Sequence, residues 1–160
     1  MAYKHHRRIF VVASNRQLSG VLAGVSVKYE ATVHQFSGGA ECLQRLADAP
    51  CDVLIVDCDE PGARASDLIV QARRIWPWQT CIALVRKGAV EAAVDVVKAG
   101  ATDCLETSGG PESLLLAVEQ GLRHAAVLFP SGKCLTQMEL AVLNLILQGK
   151  TSREIADWLN

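Results

Sequence analysis

The chain has 160 residues, half of them hydrophobic and 21% charged, with a formal net charge of −1. That composition excludes a disordered chain, and the charge balance excludes a basic nucleic-acid footprint. The longest apolar runs are strand-sized, so no membrane span is expected, and one domain plus a small appendage fits the length.

The N-terminal stretch from Met1 to Arg8 is basic, but the apolar run after it, Ile9 to Ala13, is too short for a secretory signal. A cytoplasmic protein is therefore expected. Six cysteines, Cys42, Cys51, Cys58, Cys81, Cys104 and Cys134, form no CxxC pair. In a reducing compartment they read as small buried hydrophobes rather than as disulfides or metal ligands. Neither a metal nor a cofactor is expected.

In chain order, Ile9 to Ala13 is a short β-branched run, and Leu18, Val21, Leu22 and Val25 then recur at helical spacing. Ala31 to Phe36 reads as a weak strand, followed by a helix through Cys42, Leu43 and Leu46. Val53 to Val56 is wholly apolar, as a central parallel strand must be. A helix over about 65–75 stops at Pro77, and Cys81 to Val85 is the fourth strand. Val90, Ala93, Val94 and Val97 mark a helix closed by Gly100, a C′ glycine. Thr102 to Leu105 is the fifth strand, and Leu114, Leu115, Val118 and Leu122 mark the fifth helix. Five β-α units in about 125 residues predict an α/β fold. The expected form is a flavodoxin-like, CheY-like five-stranded parallel sheet of order 2-1-3-4-5, with a C-terminal α-helical hairpin. Functional residues then sit at the carboxyl ends of the strands.

The expected organisation is a first domain over 1–127, a linker over 128–134 with the Pro-Ser-Gly of FPSGK, and a helical segment over 135–160. In that segment Thr136 with Glu139, and Thr151 with Glu154, have capping-box spacing, and Gly149 separates the two helices.

Residues 7 to 127 resemble receiver domains of two-component response regulators, most specifically in VLIVDCDEP (53–61) and VKAGATDCLE (97–106). The resemblance makes Asp57 the phosphoacceptor equivalent, with Pro61 four residues on. The rest of the phosphoryl chemistry does not carry over. The family's acidic pair, which holds Mg²⁺, aligns with Ala13 and Ser14, and magnesium wants carboxylate oxygens. The hydroxyl residue ending the fourth strand aligns with Val85, the lysine after the fifth with Thr107, and the proline after that with Ser108. This implies a pseudo-receiver in which Asp57 is not phosphorylated; the other reading keeps Asp57 phosphorylated by some other route. A lone carboxylate in a crevice calls for neutralisation. Arg86 and Lys87, directly after the fourth strand, are the candidate partners, or else surface charges. Asp59 and Glu60 read as solvated loop charges.

Residues 135 to 160 resemble the opening of a LuxR/NarL-type helix-turn-helix. Leu135, Thr136, Glu139, Val142, Leu143, Gly149, Glu154, Ile155, Ala156 and Leu159 fall on its pattern. The chain stops at Asn160, before the recognition helix that lies in the major groove in such motifs. DNA is a partner only if a longer chain supplies that helix. The run from Leu140 to Leu147 is apolar all round, which predicts burial against another surface.

Two functions follow from these readings. One is a bacterial signal-transduction and transcription regulator with a phosphorylation-independent receiver, controlled by a protein partner or by homodimerisation. The other is a dimerising adaptor or antagonist without DNA binding. An enzyme is not expected: the crevice lacks a second carboxylate beside Asp57, a histidine base and a glycine-rich phosphate loop.

Overall fold

A computed structural model describes residues 7–13, 17–60, 62, 64–128, 142, 145–146 and 149–159. Strands and helices alternate: β1 (Arg7–Val12), α1 (Gln17–Tyr29), β2 (Ala31–Phe36), α2 (Gly39–Asp48), β3 (Val53–Asp57), α3 (Ala65–Ile75), β4 (Thr80–Val85), α4 (Val90–Lys98), β5 (Asp103–Glu106) and α5 (Gly110–Leu128). A further helix, α6, spans Ser152–Leu159. The five strands form one parallel sheet in the order β2-β1-β3-β4-β5, as expected from the chain's periodicity.

The alternation of side chains along a strand divides the core into two layers. Phe10, Val12, Leu54, Val56, Cys81 and Ala83 face α2, α3 and α4, where Leu46, Ile69 and Val96 are buried against them. Ile9, Val11, Val53, Ile55, Ile82 and Leu84 face α1 and α5, meeting Leu22, Val25, Val118 and Leu122. Each fully buried side chain of this size contributes about 1.5–3 kcal/mol of transfer free energy. The central strands β3 and β4 are buried along their whole length, which is why they read as unbroken apolar runs rather than as alternating ones.

Three local features fix how the helices sit. Gly121 lets α5 approach the sheet, since a Cβ there would lie 2.9 Å from Val53 Cγ2 and 3.0 Å from Thr80 Cγ2. The Trp76 indole N–H donates to the Leu46 carbonyl at 2.8 Å, tying the end of α3 to α2. Gly100, at φ +98°, ends α4 as expected. Its N–H bonds Val97 O at 3.0 Å and that of Ala101 bonds Val96 O at 2.9 Å, a Schellman closure.

Element ends differ slightly from the sequence expectation. β1 begins at Arg7, because its backbone still pairs there with Ala31 of β2. β5 starts at Asp103 rather than Thr102, although Thr102 still exchanges bonds with Cys81 through its backbone N–H (2.7 Å) and its Oγ1 (3.1 Å). α5 runs one residue past the expected domain end at 127.

In the C-terminal segment Leu135, Thr136, Glu139 and Leu143 lie outside the described residues, as does most of the apolar run from Leu140 to Leu147. Val142, Leu145 and Ile146 are helical, and Ile146 is 52% exposed, so the burial expected of that run does not extend to this position. Gly149, at φ +76°, closes the turn, with its N–H on Ile146 O (2.9 Å) and Lys150 N–H on Leu145 O (3.0 Å). The second capping box forms. Thr151 N–H donates to Glu154 Oε2 at 2.8 Å, and Glu154 N–H donates to Thr151 Oγ1 at 3.3 Å. Ile155 on α6 is half-buried and Ala156 is exposed.

Candidate functional site

Val53, Ile55 and Asp57 alternate onto the α1–α5 side of the sheet, so the last residue of β3 carries a carboxyl at the upper edge of an apolar layer. It lies opposite Leu84 in the register with β4. Asp57 is 6% exposed, one of three buried polar or charged residues among those described. Its Oδ1 accepts the backbone N–H of Asp59 at 3.0 Å. Burial pushes its pKa up. The Asp59 N–H opposes the shift, and the charges of Asp59 and Glu60 add to it.

The partner expected for Asp57 is not found. Arg86 turns instead to Asp59, donating from Nε to Oδ1 at 2.9 Å. Lys87 is exposed and makes no ion pair among the described residues. The reason is geometric. Asp57 faces inward over the α1–α5 layer, while Arg86 follows the end of β4 into solvent, where the β3–α3 loop presents Asp59. Asp59 is thus a solvent-exposed loop charge, as expected, that also pairs with Arg86.

Of the other expected positions, Thr107 shares a cavity lining with Asp57, and Ala13 and Val85 follow or end the neighbouring strands β1 and β4. Ala13 is buried directly after β1, and its carbonyl accepts the Gln35 side-chain amide at 2.6 Å. Ser14 lies outside the described residues. Val85 is buried and offers no hydroxyl. Thr107 stands exposed at the rim, its backbone N–H bonded to Val85 O at 2.8 Å. The magnesium ion that the receiver resemblance implies does not fit these residues. Ala13 brings no carboxylate and its carbonyl is engaged, while Asp59 is committed to Arg86.

Cys58, half-buried beside Asp57, has its pKa pushed up to about 12 by burial, with Cys104 and Asp57 adding to the shift. At neutral pH it is a thiol and no nucleophile. Cys42 and Cys81 are likewise raised to about 12 by burial, and burial also pushes Cys51 well above the usual thiol value, which fits their place in the core.

Two openings flank the site, and neither was legible in the sequence. A cavity of about 170 Å³ lies between α1, α5 and the ends of β4 and β5. Leu18, Val21, Leu84, Leu105 and Leu114 wall it, and Asp57 lines it. Glu106 and Thr107 form part of its rim. A shallower apolar groove of about 560 Å³ runs along α4 and β5, past Val90, Val94, Val97 and Cys104. The valines that reveal α4 in the sequence line this open groove, at 68%, 43% and 58% exposure, whereas Val96 is the α4 residue buried in the core.

No protein-family profile matches the chain. It is 28% identical over 116 residues to the DNA-binding transcriptional regulator NtrC of Escherichia coli K12, a match covering 72% of this chain and 25% of that protein. The chain thus spans about a quarter of the length of the curated relatives it matches. Among solved structures it is similar to a CheY-like response regulator receiver domain protein from Methanospirillum hungatei JF-1. The TM-score there is 0.68 at 17% identity, covering 76% of this chain and 98% of that one. It is also similar to the beryllofluoride-activated NtrC4 receiver domain dimer, with a TM-score of 0.66 at 19% identity over 74% of this chain and 98% of that one. The fold is that of a response-regulator receiver domain.

Proposed function

We propose that the chain is a response-regulator signalling module whose receiver domain works without aspartyl phosphorylation. The observation that carries this reading is the surroundings of Asp57: Ala13 and Val85 stand where metal-binding and phosphate-reading groups are needed. An acyl phosphate requires its crowded negative charge to be neutralised as it forms, and the described residues around Asp57 provide no cation for that. The signal then passes by association rather than by turnover. The test is incubation with acetyl phosphate and Mg²⁺ followed by intact mass measurement. No added phosphate is the expected result, and a stoichiometric adduct lost in Asp57→Asn overturns the reading.

Association is proposed to mean homodimerisation. The α4–β5 groove exposes Val90, Val94 and Val97 in one apolar row, and one similar receiver is described as a dimer. A few hundred Å² of apolar burial contributes several kcal/mol before association costs, at about 25 cal/mol per Å². A protein competing for the same groove would then control the module. A transcriptional role rests on the helix-turn-helix resemblance, on the capping box formed by Thr151 and Glu154, and on the similarity to a DNA-binding regulator. Reading DNA falls to a chain that continues past Asn160 into a recognition helix. Among the described residues no helix is long and apolar enough to cross a membrane.

A further inference from the structure

The cavity beside Asp57 combines three properties: a size that holds a small molecule, walls that are largely apolar, and one buried carboxylate. We propose that it binds a small organic cation, a primary ammonium carried on a single apolar ring or branched chain, with the ammonium held by Asp57.

Size comes first. At about 170 Å³ the cavity is comparable to engineered apolar cavities of about 150 Å³ that take up benzene. Leu18, Val21, Leu84, Leu105 and Leu114 provide a surface from which water gains little and an apolar body gains much. Charge selects the ligand class. Among the described residues the cavity is lined by two carboxylates, Asp57 and Glu106, and by no lysine, arginine or histidine. An anion is disfavoured there, and a cation is attracted strongly because Asp57 is desolvated. Geometry then leaves a place for the ammonium. Asp59 N–H engages Asp57 Oδ1, and Oδ2 has no hydrogen-bond partner among the described residues. The nearby cation that could have neutralised Asp57, Arg86, is held by Asp59 outside the cavity. An ammonium donating to Oδ2 forms a charge-assisted bond to a buried carboxylate and supplies the neutralisation that no described side chain does.

This inference rests on the reading that Asp57 keeps a free carboxylate, but the two fail separately. A phosphate adduct overturns that reading, whereas the ligand claim is tested on untreated protein. Benzylamine is the probe, with benzyl alcohol and benzoate as matched neutral and anionic controls, observed through ¹H–¹⁵N correlation spectra of the full chain. Benzylamine should produce saturable shifts at the amides of Leu84, Leu105 and Leu114 below about 20 mM, with benzyl alcohol about tenfold weaker and benzoate silent. Asp57→Asn should reduce benzylamine to the level of the alcohol. Thr107→Lys places the protein's own ammonium at the rim and should abolish benzylamine binding; it also decides the matter if Asp57→Asn does not fold. Equal binding of amine and alcohol, benzylamine binding unchanged in both variants, or no saturable shift would each overturn the proposal.

Discussion

Arg86 donates to Asp59 across the mouth of the crevice at 2.9 Å and leaves Asp57, two residues away in sequence, with no basic partner among the described residues. The pair is solvent-exposed, with the Arg86 side chain 75% accessible, so its Coulomb energy is screened. Arg86→Ala should therefore change unfolding free energy by less than about 1 kcal/mol in urea denaturation. It should leave the titration of Asp57 unchanged. A large shift in that titration would show that Arg86 neutralises Asp57 after all.

Asp57→Asn should stabilise the protein at neutral pH. Burial raises the folded pKa of this carboxyl above its unfolded value. Stability linked to it is then fully present below the unfolded pKa and is lost as pH rises through the folded one. Asparagine keeps an oxygen for the Asp59 N–H and removes the charge. The gain should be about 1 kcal/mol at pH 7, the ordinary scale of single substitutions, shrinking towards zero near pH 3. Chemical denaturation of both proteins at the two pH values measures it, and destabilisation at pH 7 would count against an uncompensated carboxylate.

Gly121→Ala should cost about 1–3 kcal/mol, the usual range for overpacking, even though alanine is the better helix former. The new methyl meets two branched side chains, Val53 at 2.9 Å and Thr80 at 3.0 Å, which have little freedom to move. Gly24→Ala on α1, where a Cβ meets nothing within 4 Å, is the matched control and should be neutral or stabilising. Thermal unfolding of the two variants separates close approach from helix propensity.

The capping box at the start of α6 should be visible in a carboxyl titration. The backbone and hydroxyl of Thr151 hold the Glu154 carboxylate down at about 2, with Lys150 helping. Because the folded pKa is depressed, the linked stability of this turn is present above the ordinary glutamate range and is lost as pH falls through about 2. Thr151→Ala should return the midpoint towards 4.5, the usual value. Side-chain ¹³C chemical shifts followed against pH provide the measurement.

Assembly can be divided between two apolar surfaces. Val94→Asp places a charge in the α4–β5 groove without entering the core, because Val94 is 43% exposed. It should shift a micromolar homodimer to monomer in analytical ultracentrifugation if this groove makes the interface. Leu143→Asp and Leu147→Asp should do so instead if the C-terminal segment makes it. A wild-type monomer at that concentration rules out dimerisation as the control device.

Composition and periodicity alone determined the β-α alternation, the parallel sheet and its order, the C′ glycine at Gly100 and the capping box of Thr151 and Glu154. Each depends on residues close in sequence, or on a central strand being apolar on both faces. Asp57 was legible as the carboxylate ending an apolar strand for the same reason, while the departures at Ala13 and Val85 were visible only through the resemblance to receiver domains. What surrounds that carboxylate was decided by tertiary structure. Neither the turn of Arg86 towards Asp59 nor the capping of the Ala13 carbonyl by Gln35 follows from local spacing, because each joins two segments that only the folded sheet brings together. The helical valines of α4 show the same limit: 3.6-residue periodicity reveals that a helix has an apolar face, but not whether that face meets the sheet or an open groove. The cavity beside Asp57 exists because side chains from α1, β4, β5 and α5 converge there without filling it, and empty space between elements distant in the chain leaves no pattern in the order of its residues.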